Sequence, residues 1–407
     1  MLNIYFILNN KKKIINSLKK RNFKKKKYIN KIINLYFKKK KKIQKKNFIC
    51  NIINNFSKNY DKNKLNYIKS IKKKRKKIKK KINKYNIIIN KFLEKIPNIV
   101  NKLFFNKYKN IKNNIIIYKN KNKNKNKKNF LTHIELSKKF EIFDTKIASE
   151  ISGTGFVIFS GFGLKLYNSL VRYLLYINNK YGYKEYKLPY LVNENSIYGT
   201  GQLPNKKNQI YNIKKDNLFL IPTGEVPLIN LYKNKIFNIK ELPIKSQTYT
   251  YCFRREAGSY GKKVKGLNRL HQFGKVEIIE ITDEKKSNLS LNNMLNHIKM
   301  VLKSLNLYFR ILLLSCNKLG FTSSITYDFE VYSFGQKKWL EVSSLSNCLN
   351  FQSNNLNIFY KKKDKKILCH TLNGSCISIP RLLITILEMY QKKNKIKIPK
   401  VLNKFFF

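Results

Sequence analysis

The stretch Cys252-Phe253-Arg254-Arg255-Glu256-Ala257-Gly258 decides how the C-terminal part of this chain is interpreted. It follows a predicted strand and opens a loop rich in glycine and lysine. A second stretch, Asn268-Arg269-Leu270-His271-Gln272-Phe273, closes the loop and leads into a strand that carries Glu277. Arginines at both ends of a strand–loop–strand unit can hold a phosphate group in a planar fork, and a nearby aromatic ring can stack on a base. Because the sequence has no Walker-type or G-x-G-x-x-G loop, we expect any nucleotide site to depend on these arginines.

Two later motifs suit the same chemistry. Glu341-Val342-Ser343-Ser344 places a carboxylate beside two hydroxyl groups, a set that suits a hard cation such as Mg²⁺. His370-Thr371-Leu372-Asn373-Gly374-Ser375 leads to Arg381 at the start of an apolar helix, where an anion can be held. Each motif is a weak signal when taken alone.

The residues from about Phe130 onward predict an α+β domain. Short apolar strands are predicted at Gly155–Ser160, Thr248–Phe253, Val276–Thr282 and Ile325–Tyr332. Helices are predicted between them at Leu164–Tyr181, Asn288–Leu305 and Arg381–Tyr390. Strands with helices placed singly between them are typical of a mostly antiparallel sheet flanked by helices.

The N-terminal third predicts two long helices. Apolar residues recur with a period near 3.5, which is typical of a coiled coil, at Ile71, Ile78, Ile82, Tyr85, Ile89, Phe92 and Ile96. A weaker series runs through Ile29, Ile33, Tyr36, Ile43, Cys50 and Ile53. The polar stretch from Ser57 to Asn66 can turn the chain, and Pro97 would end the second helix. We therefore predict an antiparallel helical hairpin over residues 1–105, a linker or loop over 106–129 and a catalytic domain over 130–407; a lysine-rich disordered arm is the alternative.

The charge of the chain is large and unevenly distributed. Of 407 residues, 87 are Lys or Arg and 21 are Asp or Glu, which gives a net charge of +66. Residues 1–128 contain 44 of the basic residues but only two acidic ones, Asp61 and Glu94. The codon bias of an AT-rich genome can explain the total excess of lysine, whereas the basic N-terminal arm favours a polyanionic partner, most simply nucleic acid.

Other classes of protein are disfavoured by the composition. No apolar run is long enough for a membrane span, and no signal peptide is recognisable. The six cysteines form no C-x-x-C pair and no Cys/His cluster at zinc spacing, so we expect reduced thiols in the cytoplasm and no zinc.

The order of these motifs resembles the bacterial seryl-tRNA synthetase family of class II synthetases. The block from Arg254 to Glu277 resembles motif 2 of that class, and Gly182 to Pro189 resembles the motif 1 strand that forms the dimer. Further matches are Thr223-Gly224-Glu225-Val226, Tyr198-Gly199-Thr200-Gly201-Gln202-Leu203-Pro204, Arg21-Asn22-Phe23, Asn54-Asn55-Phe56-Ser57-Lys58 and Ile96-Pro97-Asn98. Because the likeness begins at Met1, no organellar transit peptide is expected.

The resemblance implies an ATP site built mainly from charged side chains. It assigns to this site Arg254, Arg255, Glu256, Arg269, Phe273, Glu341, Val342, Ser343, Ser344 and Arg381. Arg254 would hold the α-phosphate and the serine carboxylate, Glu256 would receive the adenine amino group, and Phe273 would stack on the adenine. Arg269 and Arg381 would hold the outer phosphates, and Glu341 and Ser344 would anchor Mg²⁺.

The resemblance also implies a serine site. It assigns to this site Thr223, Gly224, Glu225, Arg254, Glu277 and Ser375. Thr223 and Glu225 would hold the serine ammonium, while Glu277 and Ser375 would face its hydroxyl. Alanine would leave Glu277 unpaired, which explains selectivity without an editing domain. Taken in isolation, Glu225 and Glu277 could equally be salt-bridged strand residues.

The implied function is a serine–tRNA ligase that forms seryl-adenylate and transfers serine to the 3′ end of tRNA(Ser). The basic hairpin would bind the tRNA, and the enzyme would be a homodimer in the cytoplasm. The alternatives are a catalytically inactive synthetase-like RNA-binding protein and another class II synthetase. His133, His271 and His370 are interpreted as structural, and Cys252, Cys348 and Cys376 as small buried residues rather than nucleophiles.

The sequence departs from the family pattern at several positions. Gly224 stands where alanine is usual, Arg255 where serine is usual, and Pro380 where glycine is usual. Lys262, Lys263 and Lys265 replace a mixed Arg/Asp loop, so we expect looser contacts there.

Overall fold

The structure, a computed structural model, describes residues 1–58, 65–103, 113–122, 129–256 and 265–407. It divides into two compact units, Met1–Ile99 and Val100–Phe407. In the described part of the chain, no helix is both long and apolar enough to cross a membrane.

The first unit is helical. Its helices are α1 (Ile4–Asn9), α2 (Lys11–Lys20), α3 (Lys27–Lys58) and α4 (Leu65–Leu93). Helix α3 has 32 residues and α4 has 29, so at about 1.5 Å per residue each is more than about 40 Å long.

Helices α3 and α4 form the predicted antiparallel hairpin. Tyr28, near the start of α3, lies 4.9 Å from Phe92, near the end of α4, measured between ring centroids. Towards the other end of the pair, Ile49 of α3 is buried in one cluster with Ile71 and Ile78 of α4. The fold of this unit is confirmed, while most of the predicted turn from Ser57 to Asn66 lies outside the described residues.

The predicted apolar series is correct in part along both helices, since Ile71, Ile78 and Ile89 of α4 and Ile29 of α3 are buried, but α3 departs from it at other positions. Ile32 and Ile49 are buried, whereas Ile33 and Cys50 are only half-buried. The first half of α3 also contacts the short N-terminal helix, because the ring of Tyr36 lies 6.1 Å from that of Tyr5. A helix that packs on two sides does not keep a single stripe with a period of 3.5 residues.

The second unit contains strands and helices in alternation. The strands are β1 (Ile115–Lys119), β2 (Phe143–Asp144), β3 (Ile158–Phe159), β4 (Lys184–Glu185), β5 (Leu191–Asn193), β6 (Asn212–Ile213), β7 (Leu218–Leu220), β8 (Ile236–Asn238), β9 (Ile244–Phe253), β10 (Gln272–Thr282), β11 (Phe309–Leu313), β12 (Ile325–Ser333), β13 (Lys338–Asn347), β14 (Phe359–Lys362), β15 (Lys365–Leu368) and β16 (His370–Ser378). The helices are α5 (His133–Phe140), α6 (Lys146–Ser152), α7 (Gly161–Lys180), α8 (Glu194–Gly199), α9 (Glu225–Asn230), α10 (Ser287–Ser304), α11 (Phe351–Leu356) and α12 (Ile379–Tyr390).

An eight-stranded sheet organises this unit, in the order β1-β11-β12-β13-β16-β10-β9-β4. All neighbours are antiparallel except β4 and β9. Apolar residues of α7, α10 and α12 are buried in one core with those of the central strands, for example Leu170, Ile298 and Leu383 against Ile278 and Phe329. The predicted α+β fold with a mostly antiparallel sheet is therefore confirmed.

The predicted linker is wrong for residues 115–119. These residues form β1, which pairs with β11 at the edge of the sheet, with Ile115 opposite Leu313. The run Ile115-Ile116-Ile117-Tyr118 is a strong strand sequence, and an edge strand needs a partner on one side only. The lysine- and asparagine-rich stretch that suggested a linker begins only where this strand ends.

Candidate active site

The site residues come from four adjacent strands at the centre of the sheet. Arg254 directly follows β9, Phe273 lies on β10, Ser375 on β16 and Glu341 on β13, while Arg381 lies in the first turn of α12. They border an open cleft of about 560 Å³, a volume that includes space open to solvent. The cleft is lined by Arg254, Glu256, Leu267, Asn268, Arg269, Leu270, Phe273, Lys275, Glu341, Val342, Ser343, Ser375, Ser378, Pro380 and Arg381.

Three guanidinium groups converge on this cleft. Arg254 donates from Nε to the carbonyl oxygen of Pro222 at 3.1 Å, and Arg381 donates from a terminal nitrogen to the carbonyl of Glu341 at 2.8 Å. Arg269 forms an ion pair with Glu256 at 3.1 Å. Desolvation, together with the charges of Arg254 and Arg269, lowers the pKa of Arg381. Cations brought this close together create a strong site for a polyanion.

One aromatic face lies beside the arginines. The guanidinium of Arg254 is 5.1 Å from the ring centroid of Phe273, within cation–π range. Glu256 has a left-handed backbone with φ of 46° and also lines the cleft. This end of the cleft therefore offers a ring for stacking and a carboxylate that can accept from an amino group.

A buried polar cluster lies next to the cleft and shares Lys275 and Ser375 with its lining. The hydroxyl of Thr223 donates to Glu277 Oε2 at 2.9 Å and accepts from Lys275 Nζ at 2.8 Å. Lys275 Nζ also contacts the Glu277 carboxylate and donates to Ser375 Oγ at 3.2 Å. Glu277 and Ser375 are opposite each other on β10 and β16, and the register shifts between Val276 and Glu277. Such a bulge re-aims the side chains beside it.

Glu225 lies at the start of α9 and completes this half of the site. Its Oε1 accepts from Gln352 Nε2 and from Asn373 Nδ2, both at 2.6 Å. Burial and the charge of Glu277 raise the pKa of Glu225 to about 7. The groups that donate to Glu225 are uncharged amides, so a positively charged ligand would stabilise its ionised form.

A second pair of carboxylates lies on β12 and β13. Ser344 donates from Oγ to Asp328 Oδ1 at 2.7 Å. Burial and the charge of Glu341 raise the pKa of Asp328 to about 7. Within the described ranges, no group of three or more His, Cys, Asp or Glu side chains is arranged to hold a metal.

Two residues of the predicted ATP site are not among those that line the cleft. Arg255 is exposed, and its backbone nitrogen donates to the carbonyl of Gln209 at 2.9 Å, so the prediction that it lines the ATP site is not supported by its position. Neighbouring residues of an extended chain point to opposite sides, and Arg254 occupies the cleft side. Ser344 is not among the lining residues either, and its hydroxyl donates to Asp328 Oδ1.

The remaining predictions concern backbone and packing. A Cβ at Gly224 would lie 2.8 Å from Thr250 Oγ1 and 3.0 Å from a methyl group of Thr248, so glycine fits this position without a shift. Ala257, Gly258, Lys262 and Lys263 lie outside the described residues. His271 packs as expected, with its ring 5.3 Å from that of Phe156 and Nδ1 2.7 Å from the Tyr211 hydroxyl.

The other histidines and the cysteines also occupy buried positions. His133 contacts the Glu388 carboxylate through Nδ1, and its Nε2 accepts from the Leu267 nitrogen. Burial lowers the pKa of His370 to about 4. Cys252, Cys348 and Cys376 are fully buried and form no disulfide. Burial raises the pKa of Cys376 to about 12, so this thiol stays protonated at neutral pH.

Sequence reasoning missed several residues of the site. Lys275 carried a usable signal, because it precedes Glu277 by two residues and therefore shares its face of the strand. Asn373 belongs to the predicted His370–Ser375 motif, which gave it no role of its own, whereas Asp328 and Gln352 carried no signal. Their roles depend on contacts with residues far away in the chain.

The sheet and its arginine-lined cleft are those of a class II aminoacyl-tRNA synthetase. Residues 209–390 match the family model described as "tRNA synthetase class II core domain (G, H, P, S and T)". These residues include β9, β10, β13, β16 and α12, which together carry the cleft. The protein is thus an ATP-dependent class II ligase.

Related sequences and solved structures identify one family within this class. The chain is 38% identical to a serine–tRNA ligase of Phytoplasma mali over 100% of this chain and 98% of the relative. It is 47% identical to that of Methylacidiphilum infernorum over 68% of this chain and 66% of the relative. Its structure is similar to a seryl-tRNA synthetase from Pyrococcus horikoshii complexed with ATP, with a TM-score of 0.91 and 26% identity over 100% of this chain and 98% of the other. The chain belongs to the serine–tRNA ligase family.

Proposed function

We propose that the cleft binds ATP and serine side by side and joins them as seryl-adenylate, which then acylates tRNA(Ser). The observation that carries the proposal is the convergence of Arg254, Arg269 and Arg381 on a cleft that is also lined by Lys275, which contacts both Thr223 and Glu277. One half suits a polyphosphate, and the other suits a small, positively charged molecule with a hydroxyl group.

The ATP half works by positioning and charge. Phe273 stacks on the adenine ring, and Glu256 accepts from the adenine amino group. Arg254 neutralises the α-phosphate and the serine carboxylate, while Arg269 and Arg381 hold the outer phosphates. Charge that develops at the α-phosphate during displacement is stabilised most by donors that are already in place.

The serine half works by matching hydrogen-bond partners. Glu225 and Thr223 hold the ammonium, and Glu277 and Ser375 hold the hydroxyl. One carboxylate oxygen of serine attacks the α-phosphorus and pyrophosphate leaves with the electrons of the broken P–O bond. In the second step a ribose hydroxyl of the tRNA attacks the seryl carbonyl, and AMP leaves. No protein nucleophile is required, since each step gains from proximity.

Mg²⁺ fits beside Glu341 and Ser344. The Ser344 hydroxyl donates a hydrogen bond to Asp328, so the lone pairs of its oxygen remain available to a cation. The raised pKa of Asp328 reflects burial and the nearby charge of Glu341, a repulsion that a divalent cation would relieve. When bound, Mg²⁺ would neutralise phosphate charge.

The hairpin formed by α3 and α4 is proposed to bind the tRNA. Lysines cover its surface, and it includes no acidic residue among those described between Lys27 and Leu93. Such a surface suits the phosphates of an RNA helix. A homodimer formed through the motif 1 region is proposed from the family resemblance. A reducing cytoplasm is proposed because none of the six cysteines, all of which the structure describes, is in a disulfide.

Serine-dependent ATP–pyrophosphate exchange by the purified protein tests this function. We expect exchange with serine at least about 100-fold faster than with alanine, because alanine has no hydroxyl to donate to Glu277 or to accept from Ser375. Threonine and proline serve as the controls for other class II specificities. A protein that binds tRNA(Ser) but catalyses no exchange would instead be an inactive RNA-binding relative of the synthetases.

A further inference from the structure

Lys275 is a buried cation at the centre of the proposed serine pocket. Its relative exposure is 5%, and it lies on β10 two residues before Glu277. A buried ammonium is costly unless every N–H has a partner. Lys275 meets this requirement, since its three partners are Glu277, Thr223 Oγ1 and Ser375 Oγ.

These contacts use all the donors of the ammonium. Lysine has three N–H groups and no acceptor, so none remains for a substrate. Its effect on serine must therefore pass through the three groups that it contacts. Each of these groups belongs to the serine site proposed above, and the inference rests on that proposed function.

The ammonium fixes the direction of the two neighbouring hydroxyl groups. Thr223 Oγ1 accepts from Lys275 at 2.8 Å, and its own proton goes to Glu277 Oε2 at 2.9 Å. Ser375 Oγ accepts from Lys275 at 3.2 Å, which leaves its proton to be donated into the cleft. In the part of the chain that the structure describes, Glu277 Oε2 has partners while Oε1 accepts no hydrogen bond.

We propose that Lys275 is a positioning residue that sets the hydrogen-bond polarity of the serine pocket. With Lys275 in place, Glu277 Oε1 accepts one hydrogen bond and Ser375 Oγ donates one. The ligand group that satisfies both is a hydroxyl, which donates and accepts at the same atom. A methyl group satisfies neither, and an ammonium can donate to Glu277 but offers nothing to the Ser375 proton.

The test compares Lys275→Met with wild type in ATP–pyrophosphate exchange. We expect the KM for serine to rise about 10- to 100-fold, as is usual when a charge-assisted contact is lost. The KM for ATP should stay within about twofold, because the ATP contacts are elsewhere in the cleft. Lys245→Met is the matched control: Lys245 is on neighbouring β9, only half-buried and outside the cleft lining, and its Nζ donates to the Tyr181 carbonyl.

A charged analogue separates positioning from simple structural support. 2,3-Diaminopropionate carries an ammonium where serine has its hydroxyl. Wild type should discriminate against it, because Lys275 already faces Glu277. In Lys275→Met the analogue brings the missing cation, so its rate relative to serine should rise at least about tenfold. A loss of structure alone would lower both rates together and leave their ratio unchanged.

The outcomes distinguish this inference from the proposed function. If wild type shows no serine-dependent exchange, the proposed function fails. If wild type exchanges but Lys275→Met keeps both its serine KM and the analogue ratio within about twofold of wild type, the role of Lys275 is overturned. Should Lys275→Met not fold, Lys275→Gln retains neutral donors, and the same ratio, measured with it, decides the question.

Discussion

The two units of this chain are stabilised in different ways. In Val100–Phe407, helices pack on a twisted sheet, and residues such as Phe329 and Ile298 are completely buried. In Met1–Ile99, α3 and α4 meet along a narrow line of residues such as Ile49, Ile71 and Ile78, of which Ile78 keeps 9% of its surface exposed. The sheet-based unit, Val100–Phe407, can hold side chains to the precision that catalysis needs, whereas the hairpin of Met1–Ile99 offers a long charged surface on a thin core. Chemistry and RNA binding should therefore be separable.

Deletion of residues 28–95 is the strongest test of this separation. The variant lacks most of α3 and all of α4 but keeps every residue of the cleft. We expect aminoacylation of tRNA(Ser) to fall at least about 1,000-fold, because many phosphate contacts are lost together. Serine-dependent exchange, measured in parallel, should stay within about threefold. Normal charging by the shortened protein would remove the role given to the hairpin.

The next largest effect is expected within the catalytic unit, at two adjacent arginines. Arg254→Ala should slow exchange about 100- to 1,000-fold, since it removes a fixed cation from the point where charge develops. Arg255→Ala is the matched control, because this side chain is exposed and outside the cleft lining. Exchange by Arg255→Ala should stay within about threefold of wild type. Equal losses in the two variants would contradict the geometry.

Substitution of Asp328 tests whether its carboxylate supports Mg²⁺ binding beside Glu341 and Ser344. In Asp328→Asn the Ser344 hydroxyl loses a charged acceptor, and one carboxylate beside Glu341 disappears. The concentration of Mg²⁺ needed for half-maximal exchange should rise about 10- to 100-fold. Binding of Mn²⁺ in the presence of ATP, followed by electron paramagnetic resonance, should weaken to the same degree. Glu150→Gln is the control, since Glu150 is exposed on α6 and is not among the residues that line the cleft.

Much of this arrangement could be predicted from the sequence, and the errors have physical causes. Along α3, Ile32 is buried instead of the predicted Ile33, in the part of the helix where Tyr36 contacts α1. Strand β1 was missed because a lysine- and asparagine-rich stretch follows it directly. The resemblance assigned both Arg254 and Arg255 to ATP, whereas an extended backbone turns only one of two neighbours into the cleft.

The contacts that tune the site were beyond the reach of the sequence. Gln352 is 127 positions from Glu225, to which it donates at 2.6 Å. Nothing local to Gln352 indicates that neighbour, because the fold alone brings α11 against α9. The order of the motifs predicts which residues lie close together in the site. The register of β10 against β16 determines which of their side chains face each other and can form hydrogen bonds.

Serine binding should depend on pH through Glu225. Its pKa is raised to about 7, so the carboxylate becomes protonated as the pH falls below that value. A neutral Glu225 attracts the serine ammonium less, and the serine KM should rise by up to about tenfold per pH unit below 7. Glu225→Gln should flatten this dependence. An unchanged slope in that variant, measured by exchange between pH 5.5 and 8, would assign the titration to another group; these pH limits bracket the raised pKa by about one unit or more.

The smallest effect is expected at the thin core of the hairpin. Ile78→Ala removes a buried side chain of α4 and should destabilise the hairpin by about 2 kcal/mol, at the low end for buried aliphatic residues.

Ile87→Ala, on the same helix but 57% exposed, is the control and should change stability by less than about 0.5 kcal/mol. Because the lysines of α3 and α4 repel one another, the Ile78→Ala defect should be largest at low salt and shrink as salt screens them. Circular dichroism melting of the full chain at about 0.05 and 0.3 M salt, interpreted with Debye lengths of roughly 14 and 6 Å, measures this. A defect that is equal at both salt concentrations would mean that charge repulsion does not limit the hairpin, and that its apolar line alone sets its stability.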